Sequence, residues 1–191
     1  EVVPGEPEVT PAGRTVAVTV RNGAGATCAV GAAGLPDRPP PPPEVVWPAV
    51  APASAPPPAS PGALAPGTLL ALAPHRFRAD RAGEYLADVR ETLPLYTSAG
   101  VAHPGWLLRD ANYVLSTNVV LGPWIHVESV TQHHAAVPDG ATVEARATVT
   151  REWERKGHRF VELDVGLLVD GDRLAARVVH TAIYRPRPGR G

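Results

Sequence analysis

Residues 91–122, ETLPLYTSAGVAHPGWLLRDANYVLSTNVVLG, constrain this chain more than any other stretch. Leu107, Ala111, Val114 and Leu115 recur at i, i+4, i+7 and i+8, which predicts a buried helical stripe. Pro104 suits the first position of that helix, where an amide proton is not needed. Gly122 and Pro123 stop it, so a helix is expected from 104 to about 120. A helix this apolar needs cover. Four segments downstream, near 124–136, 141–153, 158–169 and 174–184, read as strands. Val143, Ala145, Ala147 and Val149 alternate with their neighbours, as do Val161, Leu163, Val165 and Leu167, the pattern of a sheet with one buried face. Turns at Val137-Pro138-Asp139-Gly140, Arg155-Lys156-Gly157 and Asp170-Gly171-Asp172 put glycine where positive φ is expected. Upstream, 68–78 reads as a first strand. Asp80 is expected to cap a short helix over 81–90, with Ala82, Tyr85, Leu86 and Val89 facing inward. The fold class is therefore α+β, an antiparallel sheet wrapped around one long helix.

Length and composition bound the function. A chain of 191 residues allows one domain of ordinary size plus an extra segment. The net charge of −1, without a basic stripe, argues against a nucleic-acid partner. The single cysteine, Cys28, excludes an internal disulfide. No apolar run approaches the roughly 18 residues that cross a bilayer, and no leader pattern opens the chain. A soluble, cytoplasmic protein without a membrane partner is expected. The sequence has no methionine, even at its start, so a processed or truncated product is expected.

Three segments follow from the patterning. Residues 1–35 hold a hairpin over 14–35, where Val16, Val18 and Val20 lead into the turn Arg21-Asn22-Gly23-Ala24-Gly25. Shifted by 149 positions without gaps, Val16 meets Val165, Val20 meets Val169 and Val30 meets Val179. The hairpin thus reads as the remnant of a preceding repeat. Residues 36–66 carry thirteen of the 23 prolines and read as a passive linker lying over the domain. Residues 67–191 form the main domain.

The residues of that domain resemble a known family. Glu91-Thr-Leu-Pro-Leu-Tyr96 falls where MaoC-like hydratases carry Asp-x-Asn-Pro-x-His, and Ala102-His103-Pro104-Gly105 is similar to their Ala-His-Gly before the central helix. Pro104-Gly-Trp-Leu-Leu-Arg-Asp110-Ala111 matches the Pro-Gly-x-Leu-x-x-Glu/Asp-Ala of the related β-hydroxyacyl carrier-protein dehydratases. The order strand, short helix, central helix, four strands also matches. The resemblance implies a hotdog fold, in a double-hotdog arrangement whose first repeat is mostly absent. It implies an enoyl-thioester hydratase or dehydratase acting on coenzyme A or acyl-carrier-protein thioesters, without a cofactor. It also implies pairing, as a homodimer or with another hotdog repeat. One departure stands out: both alignments put Tyr96 where the family has its catalytic His. Phenol titrates near pKa 10 and is no base at neutral pH. Glu91 for Asp keeps a carboxylate.

The chemistry of such a site needs an acid/base group near Cα and Cβ of the acyl chain and donors for the thioester carbonyl. Tyr96, His103, Asp110 and Glu91 are the candidate catalytic residues. Gly105 and Trp106, at the positive end of the helix, are candidate substrate contacts, as is Asn112. Arg155, Lys156 and Arg159 are candidates for clamping the phosphates of coenzyme A. His126, His133 and His134 share one strand, but without a convergent carboxylate or thiolate no metal is expected. A thioesterase, or a non-catalytic repeat that binds acyl groups or steadies a partner, would use the same fold.

Overall fold

Alternation of period two dominates both ends of the chain and builds two sheets. The computed structural model describes residues 1–11, 13–35 and 41–188. The chain divides into two units, Glu1–Pro41 and Pro42–Gly191.

The first unit is a meander of three antiparallel strands: β1 (Val2–Thr10), β2 (Gly13–Arg21) and β3 (Thr27–Leu35), in that spatial order. The sequence reading found the β2–β3 hairpin and missed β1. Pro4, Gly5 and Pro7 interrupt its alternation, and the pairing shifts register between Pro4 and Pro7. Prolines are tolerated on an edge strand, where no ladder bond is lost. The ungapped repeat does not carry over to strand pairing. Val16 pairs with Ala33, whereas Val165 pairs with Val178, and a shift of 149 would put Val16 opposite Ala29. The loops differ: five residues, 22–26, lie between β2 and β3, and Asn22 Oδ1 accepts from the amides of Ala24 and Ala26 there.

The second unit runs β4 (Leu69–Arg76), a 3-10 turn (Ala79–Arg81), α1 (Ala82–Asp88), α2 (Leu95–Ser98), α3 (Pro104–Asn118), β5 (Ile125–His133), β6 (Thr142–Arg155), β7 (His158–Val169) and β8 (Arg173–Arg185). The strands form one antiparallel sheet in the order β4-β6-β7-β8-β5, so β4 and β5 are its edges. The predicted helical stripe is the centre of the core. Leu107 is 3% exposed, and Ala111, Val114 and Leu115 are fully enclosed against Val143, Val149, Val165 and Val178. Each large side chain in that stripe contributes roughly 1.5–3 kcal/mol. Gly140, Gly157 and Gly171 all take positive φ in their turns, as the sequence predicts.

Three local expectations are corrected. The helix stops at Asn118, because Val119 is already extended, and Val120 faces solvent. Asp80 does not cap α1. Its carboxylate accepts from Arg78 at 2.9 and 2.6 Å, and Arg81 takes the cap position without a side-chain bond. The proline-rich segment, whose residues 36–40 lie outside the described residues, is not passive over 41–66. Trp47 is 5% exposed and sits with Leu168 and Leu174, and Leu64 is fully enclosed. Among the described residues no helix is long and apolar enough to cross a membrane.

Candidate active site

The amino end of α3 gathers the predicted residues into one cluster. His103 is the N-cap, and its Nδ1 accepts from the Gly105 amide at 3.0 Å. That bond requires an unprotonated Nδ1, so in the neutral imidazole the ring proton sits on Nε2. Nε2 lies 3.5 Å from Glu91 Oε2. Glu91 is held from both sides: its amide donates to Leu86 O, and its Oε1 accepts from the Leu93 amide at 2.7 Å. Tyr96, on the single turn of α2, places its ring 4.7 Å from that of His103. Glu91, Tyr96 and His103 are therefore brought together, as the motif implies.

Tyr85 belongs to the same cluster, although the sequence reading treats it only as core. Its ring lies 5.7 Å from His103. A Cβ at position 105 would fall 2.4 Å from the Tyr85 hydroxyl and 3.1 Å from His103 Nδ1. Glycine at 105 is thus a requirement of close approach. Burial pushes the Tyr85 phenol up, against the opposing pull of Arg109.

The helix amides are less available than expected. Gly105 N–H is bonded to the His103 ring and Trp106 N–H donates to His103 O at 2.9 Å. With Pro104 lacking an N–H, these bonds account for the first turn up to Leu107.

Two turns further along α3, Asp110 is 2% exposed, and no hydrogen bond reaches its Oδ2. Burial pushes its carboxyl up to about 6, with His75 and Arg109 pulling the other way. Its nearest partner comes from outside the motif: His75 Nε2, on β4, lies 3.4 Å from Oδ2. Trp106 packs on both His75 and Phe77, at ring distances of 5.5 and 5.0 Å. The Arg109 guanidinium lies 5.2 Å from the Tyr85 ring and 5.0 Å from that of Trp106, so it joins the two clusters. A cleft of about 200 Å³ opens beside Trp106, between Phe77, Arg76 and Arg81. No sequence signal marked His75, because its placement depends on an irregularity in β4.

The other candidates lie elsewhere. Asn112 Oδ1 is buried without a hydrogen bond. Asn118 is structural: it donates to Ala71 O and Val114 O and accepts from the Ala53 amide. Arg155, Lys156 and Arg159 stand at the β6–β7 turn. His75 pairs opposite Val143, at the other end of β6. At about 3.3 Å per residue, roughly 40 Å of strand separates them from the cluster in the same chain. Arg159 is also engaged, donating to both Glu152 oxygens and lying 3.3 Å from Glu154. His126, of the β5 histidines, stacks on buried His180 at 4.9 Å, and Ser129 Oγ lies within hydrogen-bond reach of both rings. Burial first, then the neighbouring His126, holds His180 down to about 4. Among the described residues no three His, Cys, Asp or Glu side chains converge as metal ligands would.

No protein-family profile matches this chain. No curated protein matches it either. Solved structures do. A monoamine oxidase regulatory protein from Archaeoglobus fulgius superposes with a TM-score of 0.59 at 14% identity, over 69% of this chain and 97% of that one. An (R)-hydratase from A. caviae involved in PHA biosynthesis superposes with a TM-score of 0.54 at 18% identity, over 64% and 96%. A 3R-hydroxyacyl-ACP dehydratase complex from Mycobacterium tuberculosis gives 0.52 at 18%, over 61% and 95%. The fold of the second unit is the hotdog fold that the sequence resemblance implies.

Proposed function

We propose that this chain is a hydratase or dehydratase of acyl thioesters, of the MaoC-like kind, acting on a coenzyme A or acyl-carrier-protein substrate. The observation that carries this reading is Asp110. A carboxyl buried on the central helix, with one oxygen unbonded and its titration moved to about 6, suits a group that takes and returns a proton near neutrality. Hydratases and dehydratases are among the proteins that share this fold. Glu91 and His103 form a second polar pair one step away, where Glu91 holds the imidazole in its tautomer and His103 steadies the amino end of α3. Tyr96 serves there as a hydroxyl donor rather than a base. Arg76 and Arg81, beside Trp106, are the cations placed to meet a phosphate of the thioester's arm. The test is an assay with crotonyl-CoA that follows double-bond loss and free thiol separately. Double-bond loss without thiol release is expected. Thiol release alone would mean a thioesterase, and neither signal a non-catalytic domain.

The same reading includes pairing between copies. β5 is an open edge, and Ile125, Val127 and Val130 on it are 49%, 47% and 61% exposed. An open apolar edge invites another strand. We expect a dimer by light scattering, and a monomer when Val127 and Val130 are both replaced by Lys. A double variant that stays dimeric would move the interface elsewhere.

A further inference from the structure

We propose that His75 is a catalytic acid/base partner of Asp110, so that the imidazole missing from position 96 is supplied by β4. The inference rests on the hydratase reading above and adds a residue to it.

The placement of His75 depends on one extra residue. Along β4, Leu72 pairs with Ala145 and His75 with Val143, so three steps on β4 match two on β6. The surplus falls at Ala73-Pro74, where proline has no amide to give the ladder. Leu70 and Leu72 share one face of the strand. In an unbroken strand that face would continue with Pro74 and Arg76. The bulge inverts it. His75 instead stands opposite Val143, which is fully buried on the helix side, and Phe77 follows it into the core at 1% exposure. Both rings then meet Trp106. The irregularity therefore turns an imidazole toward a buried carboxylate that has no other partner at Oδ2.

The two groups differ in exposure as the chemistry demands. Asp110 is enclosed, whereas the His75 side chain is 34% exposed and within reach of a substrate arriving from outside. In the hydration direction, the Asp110 carboxylate takes a proton from water as the water oxygen bonds to Cβ. The C=C electron pair moves to Cα and onto the thioester oxygen as an enolate. The His75 imidazolium then gives its Nε2 proton to Cα. This leaves a protonated Asp110 beside a neutral His75. Transfer of one proton from Oδ2 to Nε2, across the observed 3.4 Å, restores both. The sum is enoyl thioester plus water to 3-hydroxyacyl thioester, and dehydration is the reverse.

The experiment compares kcat for crotonyl-CoA hydration across pH in the wild-type protein, His75→Gln and His75→Ala. Loss of about 100-fold or more in kcat is expected for His75→Gln, with the limb that reports the acid gone from the pH profile. His75→Ala should regain turnover when imidazole is added, since the site is open to solvent. A merely structural imidazole would leave the profile shape and the imidazole response unchanged. If His75→Gln does not fold, as judged by near-ultraviolet circular dichroism, the rescue of His75→Ala decides. A folded His75→Gln with kcat within about threefold of wild type overturns the inference, as does a folded, inactive His75→Ala that imidazole does not restore. Either result leaves the hydratase reading standing while wild-type turnover is present. A wild-type protein that hydrates no enoyl thioester overturns both.

Discussion

Asp110→Asn is expected to remove hydratase activity and to stabilise the protein at once. The amide keeps the shape of the side chain and cannot take a proton from water, so kcat should fall by about 10²–10⁴. The stability gain follows from burial. The carboxyl of the unfolded chain loses its proton near 3.8, and that of the folded chain near 6. Between these values the folded state holds the extra proton. Stability therefore falls as pH rises from about 4 to about 6 and stays at the lower level above. His75 on β4 and Arg109 on α3 offset part of that penalty. At pH 7 the remaining penalty is on the order of 3 kcal/mol, and the neutral amide does not carry it. Thermal denaturation at pH 7 should give a higher midpoint for Asp110→Asn, with the difference vanishing near pH 4. A variant that is both fully active and no more stable would mean that Asp110 is neither the base nor a charged buried group.

Trp47→Ala is expected to be the most destabilising single change outside the central helix. The indole is 5% exposed, donates from Nε1 to Asp164 O at 3.2 Å, and lies on Leu168 and Leu174. Truncating a buried tryptophan costs about 3–5 kcal/mol, which for a chain of this size is on the order of 10 °C in Tm. The same contact can be attacked from the strand. A Cβ on Gly166 would fall 2.5–2.9 Å from three indole carbons, so Gly166→Val should displace the ring and give a comparable loss. Limited proteolysis supplies a second readout: cleavage within 42–60 should become fast in both variants. A Tm within about 2 °C of wild type would show that the indole adds nothing to the sheet beneath it.

These two positions also mark where the sequence was legible and where it was not. The period of 3.6 over Leu107–Leu115 located α3, because a helix buried on one side must repeat its apolar residues. Alternation located β5 to β8 for the same reason. Glu91, Tyr96 and His103 were readable as one cluster, since they precede a single helix and local geometry brings them together. The partner of Asp110 was not readable. Strand parity counts residues, and the bulge at Ala73-Pro74 changes the count without leaving any mark in hydrophobicity. The docking of Trp47 was hidden because its seat, Gly166, is 119 positions away and is visible only as an absent side chain. Arg155, Lys156 and Arg159 were chosen on charge alone. Charge says nothing of distance, and the length of β6 separates them from the cluster.

The bulge in β4 has a consequence for how this gene can change. Most substitutions near His75 alter one side chain. Removal of a single codon between Leu72 and His75 would leave two steps on each strand, restore an unbroken ladder and keep His75 opposite Val143. Reading frame and overall composition would be almost untouched. Closing the bulge with every residue kept would do the opposite, slipping the register by one so that Pro74 and Arg76 turn toward α3 and His75 and Phe77 turn away. The surplus residue can therefore be lost without moving His75 to the other face, and a relative with a one-residue gap at Ala73-Pro74 can keep the same pair of groups.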